Sequence, residues 1–247
     1  MIFLVDNTKE LDFMPADPYG ARISALADTY GTAYDFALFW VQKVEGLPVA
    51  AISRIDGNAT LCCTENADFE ELSEFLKVSG YSSLTFDSKF SVKLGITPQK
   101  TSFTVKYTGG AIVCENILFD YDKKEIYSLL CECGFELGDY GAFLADVCSR
   151  LNKSTASLAA AECDGRLCAC AFALFEGRKS VLLGAVGTSP AARGKGYASK
   201  LVGTLAEMKK DKEVFLFCRN DSLADFYSKI GFKICGNWAV CETNQGG

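Results

Sequence analysis

The order of strand and helix signals along this chain occurs twice, and that repetition constrains the fold more than any single motif. In the second half, residues 155–163 and 166–175 are β-rich runs joined at Asp164-Gly165, a two-residue hairpin signal that makes them antiparallel neighbours. Residues 180–186 read as a third strand. From 196 to 210, Ala198, Leu201, Val202, Leu205 and Met208 recur every three or four positions, the stripe of an amphipathic helix. Residues 213–218 are a strand, 222–230 a helix closed by Gly231, and 232–241 a last strand. Two helices, 123–133 and 140–151, precede them. The first half repeats much of this order: strands at 36–44 and 48–55 joined around Glu45-Gly46, a third at 59–63, a helix at 69–78, a strand at 83–86, a short helix at 89–94 and a strand at 102–107. Val92-Lys93-Leu94-Gly95-Ile96 echoes Ser228-Lys229-Ile230-Gly231-Phe232 at the same step, between last helix and last strand. Duplication is the favoured reading, with domains at 1–111 and 112–247 and a boundary near 109–115. The alternative is one mixed α/β domain with an elaborated N-terminus.

A chain of 247 residues, 49% hydrophobic, is long enough for two such cores. Its net charge of −6, with no basic stripe, removes the electrostatic term that drives nucleic-acid binding. The N-terminus reaches Asp6 too soon for a signal h-region, and no stretch approaches the roughly 20 apolar residues of a membrane span. The expectation is a cytoplasmic protein without membrane or nucleic-acid partners; a homodimer is compatible with it. Twelve cysteines sit largely in apolar runs and read as buried reduced thiols. The pairs Cys131/Cys133 and Cys168/Cys170 have one-residue spacing, and the chain has no histidine, so no metal is expected and Ser-His or Cys-His nucleophile pairs are excluded.

Between the strand ending at Val186 and the helix starting near Gly196 lies Gly187-Thr188-Ser189-Pro190-Ala191-Ala192-Arg193-Gly194-Lys195-Gly196-Tyr197-Ala198. Glycines let a backbone approach a ligand, and a helix N-terminus offers unpaired N–H groups with a positive dipole end. This is a ready anion site. A P-loop is ruled out because Gly194-Lys195 is followed by Gly196 and Ser189 stands five before Gly194; a dinucleotide fingerprint is ruled out because its third glycine falls on Ser199. The remaining alternative is a purely structural turn, against which the charges of Arg193 and Lys195 argue.

Here the sequence resembles the GNAT N-acetyltransferases, whose signature Arg/Gln-x-x-Gly-x-Gly/Ala is matched in order by Arg193, Gly196 and Ala198. The family's downstream Asn-x-x-x-Ala-x-x-Tyr-x-x-x-Gly-Phe is matched by Asn220, Ala224, Tyr227 and Gly231-Phe232. The resemblance covers residues 118–242 and extends to the first half only by element order. It implies an α/β (α+β) protein of two GNAT-like domains, each a mixed, mostly antiparallel sheet flanked by helices. It also implies acetyl-coenzyme A as cosubstrate. Val186, Gly187 and Thr188 would lie along the pantetheine arm, in a splay between the fourth and fifth strands. The amides of Arg193, Gly194, Lys195, Gly196, Tyr197 and Ala198, with the Ser199 hydroxyl, would receive the pyrophosphate, and Asn220 would contact pantetheine. Tyr227 would approach the thioester sulfur as general acid; its alternative is packing, as for Phe226.

In the first half the corresponding loop, Thr64 to Glu71, has no glycine or base but four acids, and Ser91 stands where the tyrosine would be, so this half reads as a degenerate copy. The family transfers acetyl directly to an amine in a ternary complex, and the implied activity is that of an N-acetyltransferase. The strand 181–186 carries no carboxylate for a general base; Glu162, Glu176 or a water chain remain open. That missing carboxylate keeps a second reading alive, a non-catalytic coenzyme A-binding regulatory module. The acceptor would be a small-molecule or peptide amine, and the acidic balance weakly favours a cationic one such as a polyamine, an aminoglycoside or a protein N-terminus.

Overall fold

The computed structural model describes residues 1–111 and 113–243; Ile112, where the expected second domain begins, and 244–247, where it ends, lie outside the described residues. The first half contains β1 (Ile2–Leu4), α1 (Pro18–Tyr30), β2 (Ala37–Val44), β3 (Leu47–Ile55), β4 (Asn58–Cys63), α2 (Phe69–Ser79), β5 (Ser83–Asp87), α3 (Ser91–Leu94) and β6 (Lys100–Tyr107). The second contains α4 (Lys123–Glu132), α5 (Tyr140–Asn152), β7 (Ser157–Cys163), β8 (Arg166–Glu176), β9 (Ser180–Thr188), α6 (Tyr197–Met208), β10 (Glu213–Phe217), α7 (Asp221–Ser228) and β11 (Phe232–Glu242). Hairpins close where the glycine pairs stand. Glu45-Gly46 and Asp164-Gly165 hold φ of 51° and 79° and of 53° and 71°. Two consecutive left-handed residues match the twist of the flanking strands.

The strands of both halves form one 11-stranded sheet, ordered β1-β2-β3-β4-β5-β11-β6-β10-β9-β8-β7. This differs from one sheet per half in a specific way, because the last strands are exchanged. β5 pairs antiparallel with β11 and β10 antiparallel with β6, while β6 and β11 pair with each other at the centre. The cores follow the exchange. Val105 and Tyr107 of β6 are buried in the apolar cluster of the second half, and Ala239 and Cys241 of β11 in that of the first. No helix among the described residues is long and apolar enough to cross a membrane.

Helix α1 packs on strands of both halves, β4 on one side and β8 and β9 on the other. Its local causes are plain: the Asp17 side chain caps the Gly20 N–H, Pro18 opens the first turn, and Gly31 at φ 69° ends it. Nearly every residue of α1 is buried. A helix that buries all its sides carries no one-sided stripe.

Candidate functional site

The second half builds an open anion cradle at the exit of β9. β9 runs parallel to β10 only from Ser180↔Glu213 to Leu183↔Leu216; from Gly184 to Thr188 the two strands are no longer partners. Ala185 lies in this unpaired stretch. It holds φ 47°, costly for a residue with a Cβ, and the β8–β9 register slips between Cys170 and Phe172 beside it. On this side β9 thus runs on unpaired past the end of β10 at Phe217, the stretch where the splay is expected.

After β9, a single 3₁₀ turn at Pro190–Ala192 leads into Gly194 at φ 77° and Gly196 at φ 82°, the residue preceding α6. No side chain caps α6, and the N–H groups of Gly194, Lys195, Gly196, Tyr197, Ala198 and Ser199 donate to no described acceptor. A Cβ on either glycine would meet no protein atom within 4 Å, so this face is open to a ligand. The Arg193 amide, by contrast, donates to Pro190 O at 3.4 Å, and its Nε closes on Thr188 O at 3.2 Å. Arg193 therefore braces the turn. The Thr188 hydroxyl is buried with no hydrogen-bond partner, and an orphaned donor and acceptor at this point suits a polar ligand. Tyr197 directs its phenol to the hairpin, where the Cys163 thiol pushes it up to about 12; its contribution to the cradle is its amide. Gly187 is packed from behind: a Cβ there would lie 3.3 Å from Leu130 and 3.4 Å from Cys133. Val186, on the splayed stretch, is half-buried and packs against the core of this half.

Tyr227 lies on α7, 5% exposed, with Phe226 and Phe232 edge-on at 5.0 and 5.8 Å. Its hydroxyl bonds to no described residue, and burial, then the neighbouring Cys218 thiol, hold it above its ordinary pKa. It remains a neutral proton donor. Asn220 caps α7 by accepting from Leu223 N at 3.0 Å, which leaves its NH₂ group for a ligand. Of the two candidate bases, Glu176 is taken: it accepts from Ser157 Oγ at 2.5 Å and pairs with Lys209 at 2.6 Å, at the opposite end of β9 from Thr188. Glu162 accepts from Tyr121 at 3.0 Å on the outer strand β7. Neither stands on the splay.

A cleft of about 880 Å³ opens beside it. One wall is the α4–α5 turn, where Cys133 Sγ–H donates to Thr188 O at 3.4 Å and Gly134, Phe135 and Glu136 follow. The other includes Arg219, next in the chain to Cys218 at the end of β10, with Lys100 and Ser102 of β6 and Trp238 of β11 as floor. Trp238 is fixed by its Nε1–H on Cys218 O at 2.8 Å. Thus the strand exchange carries part of the first half into this cleft. Glu136 and Arg219 carry no motif of their own, and their local signal in the sequence is only their place in the turns that follow α4 and β10.

The first half closes the corresponding position. Asp68 caps α2 through Glu71 N at 3.0 Å, Gln42 bonds Asp68 O, Asp68 N and Glu71, and Lys93 pairs with Glu65 at 2.6 Å. The helix start is occupied by the chain's own carboxylates.

Residues 154–234 match the family model described as "Acetyltransferase (GNAT) domain". No curated protein matches. Among solved structures, a tandem GNAT protein from the clavulanic acid biosynthesis pathway superposes with a TM-score of 0.58 at 12% identity, covering 100% of this chain and 99% of that one. A GNAT-family acetyltransferase from Colwellia psychrerythraea superposes with a TM-score of 0.54 at 11% identity, covering 97% and 98%. At such identities the likeness is one of fold.

Proposed function

From a chain whose residues 154–234 match the GNAT acetyltransferase domain, we propose an N-acetyltransferase that passes the acetyl group of acetyl-coenzyme A to a primary amine in a ternary complex. The observation that carries this reading is the cradle: six consecutive amides without acceptors, two left-handed glycines with open faces, and an uncapped helix start beside a splayed strand. These residues fit a pyrophosphate, because the amides supply donors and the helix dipole favours the anion. Gly194 to Ser199 would hold the diphosphate, Val186 to Thr188 the pantetheine arm, and Asn220 its amide. When bound, the thioester supplies an activated acyl carbon.

The cleft between the α4–α5 turn and Arg219 receives the amine. Its nitrogen attacks the thioester carbonyl, a C–N bond forms and the C–S bond breaks. Glu136, which makes no ion pair among the described residues, takes the ammonium proton directly or through water. Tyr227 returns a proton to the departing thiolate. The phenol is protonated at neutral pH at its ordinary pKa of about 10, and burial only moves it further from ionisation.

The test couples binding to turnover. Coenzyme A should bind the intact protein by calorimetry, and a panel of amines should release thiol above the hydrolysis background. Gly196→Val should lose most of the affinity while staying folded, since a branched side chain disfavours φ 82° and fills the cradle. Unchanged affinity in that variant would remove the cradle from the proposal. Tight binding with no release across the panel would favour the regulatory-module reading, which the lack of a carboxylate on β9 supports.

A further inference from the structure

The side chains that line the acceptor cleft carry a charge pattern of their own. Lys100 and Glu242 pair with each other at 2.9 Å, which neutralises both. Two charges remain, the Arg219 guanidinium and the Glu136 carboxylate. Arg219 lies over the Phe135 ring at 5.7 Å and makes no ion pair or hydrogen bond among the described residues. Glu136 is likewise without a partner, and the two do not pair with each other although both line the same space.

From this we infer that the acceptor is an amine carrying a carboxylate, an amino-acid-like zwitterion, with Arg219 setting the specificity. The inference rests on the transfer reading for the identity of the cleft. A guanidinium is a planar fork that takes a carboxylate by two parallel N–H···O bonds, and stacking on Phe135 holds the fork in place. Glu136 then orients the ammonium end, the group that must lose its proton to attack. A polyamine or an aminoglycoside would place a second cation against Arg219 instead. The weak expectation of a cationic acceptor, drawn from net charge alone, is thus replaced by one drawn from the cleft, where like-charge contact disfavours it.

The experiment uses the full-length protein and a panel of α- and ω-amino acids, each beside its amide. Thiol release is followed kinetically, and each acceptor is also titrated calorimetrically with coenzyme A present. The acids should exceed their amides in kcat/KM by about 3–10-fold, the worth of a bidentate charge-assisted pair at side chains that are exposed in the free protein. Arg219→Gln should erase that preference by lowering the acids more than the amides, and Arg219→Lys should restore part of it. A structural role, exerted through Phe135, would lower acids and amides together and would overturn the inference. So would equal use of both in the parent protein. If no acceptor releases thiol but the acids bind preferentially and lose that preference in Arg219→Gln, the specificity stands and the transfer reading falls. If the titrations also show no preference, the inference falls with it.

Discussion

Tyr227 is the residue on which the chemistry turns, and its surroundings separate two roles. Tyr227→Phe keeps the edge-on contacts with Phe226 and Phe232 and removes one hydroxyl that bonds to nothing described. Transition-state help should fall while ground-state binding hardly changes. The expected result is a drop in kcat of at least about tenfold, with coenzyme A affinity within about threefold. A loss of affinity alone would make Tyr227 a packing residue. Asp17 offers a second test, of stability. It is half-buried at the start of α1, and desolvation of its carboxylate, only partly offset by the Gly20 N–H at 2.6 Å and by the Cys62 thiol, raises its pKa from 3.8 to about 6. A raised folded-state value means that the folded chain holds the proton more tightly. The stabilising contribution is full below about pH 4 and is lost as pH rises through 6. Asp17→Asn keeps a capping oxygen without the charge. Its stability relative to the parent should rise by up to about 3 kcal/mol between pH 4 and 7 in urea unfolding. A difference that does not vary with pH would show that Asp17 titrates normally. At this scale the cradle was legible because its glycines and charges are contiguous. Arg193 as a brace was not, since its partners, the carbonyls of Thr188 and Pro190, come within reach only once the turn has formed; nor were the bulge at Ala185 and the roles of Glu136 and Arg219, which depend on neighbours distant in sequence.

Among the elements, those with strong local causes were readable and those defined by their neighbours were not. The hairpins at Glu45-Gly46 and Asp164-Gly165, the stripe of α6 and the α7–Gly231–β11 step all follow from turn chemistry and periodicity. α1 escaped because burial on nearly every side, with Ala21, Ser24, Ala25 and Ala27 among its inward residues, leaves no apolar stripe to detect. β1 is three residues long and is recognisable only through its pairing with β2. The α7–β11 junction can be tested directly. Gly231 holds φ 91°, and a Cβ there would stand 2.2 Å from Gly109 O and 3.0 Å from the Tyr107 ring. Backbone of β6's exit blocks the side chain, and backbone cannot turn aside as a rotamer can. Gly231→Ala should therefore cost at least about 2 kcal/mol in denaturant unfolding, combining the left-handed conformation with the clash. Gly165→Ala is the control, because Gly165 has φ 71° but open space around it and should lose only about 1 kcal/mol. Equal losses would mean that β6 and β11 are not in close contact at this point.

For the molecule as a whole, the exchange of last strands decides what a domain boundary means. Element order in the sequence shows two similar halves, but strand periodicity cannot say which edge a strand fills, because β6 and β11 each have alternating faces and two usable edges. In the folded protein the segment after β6 is the covalent passage between halves whose strands pair with one another three times, at β5–β11, β11–β6 and β6–β10. Each half also lends residues to the other's core, and α1 spans both. The covalent link should then be dispensable once folding is complete. A protease site inserted between Gly109 and Gly110, both at positive φ beyond the end of β6, should be cleaved without separating the fragments. The nicked protein is expected to elute as one species at the parent's volume, to keep its coenzyme A affinity within about threefold, and to come apart only in denaturant. After dilution from denaturant the fragments should recover binding when mixed and not when the C-terminal one is alone, since without β6 the β10 edge and the core around Val105 and Tyr107 are left open. Separation of the nicked fragments under native conditions would show that the two halves hold their own last strands in solution. Recovery of binding by the C-terminal fragment alone would show instead that β11 can move onto β10 and rebuild the cradle within one half.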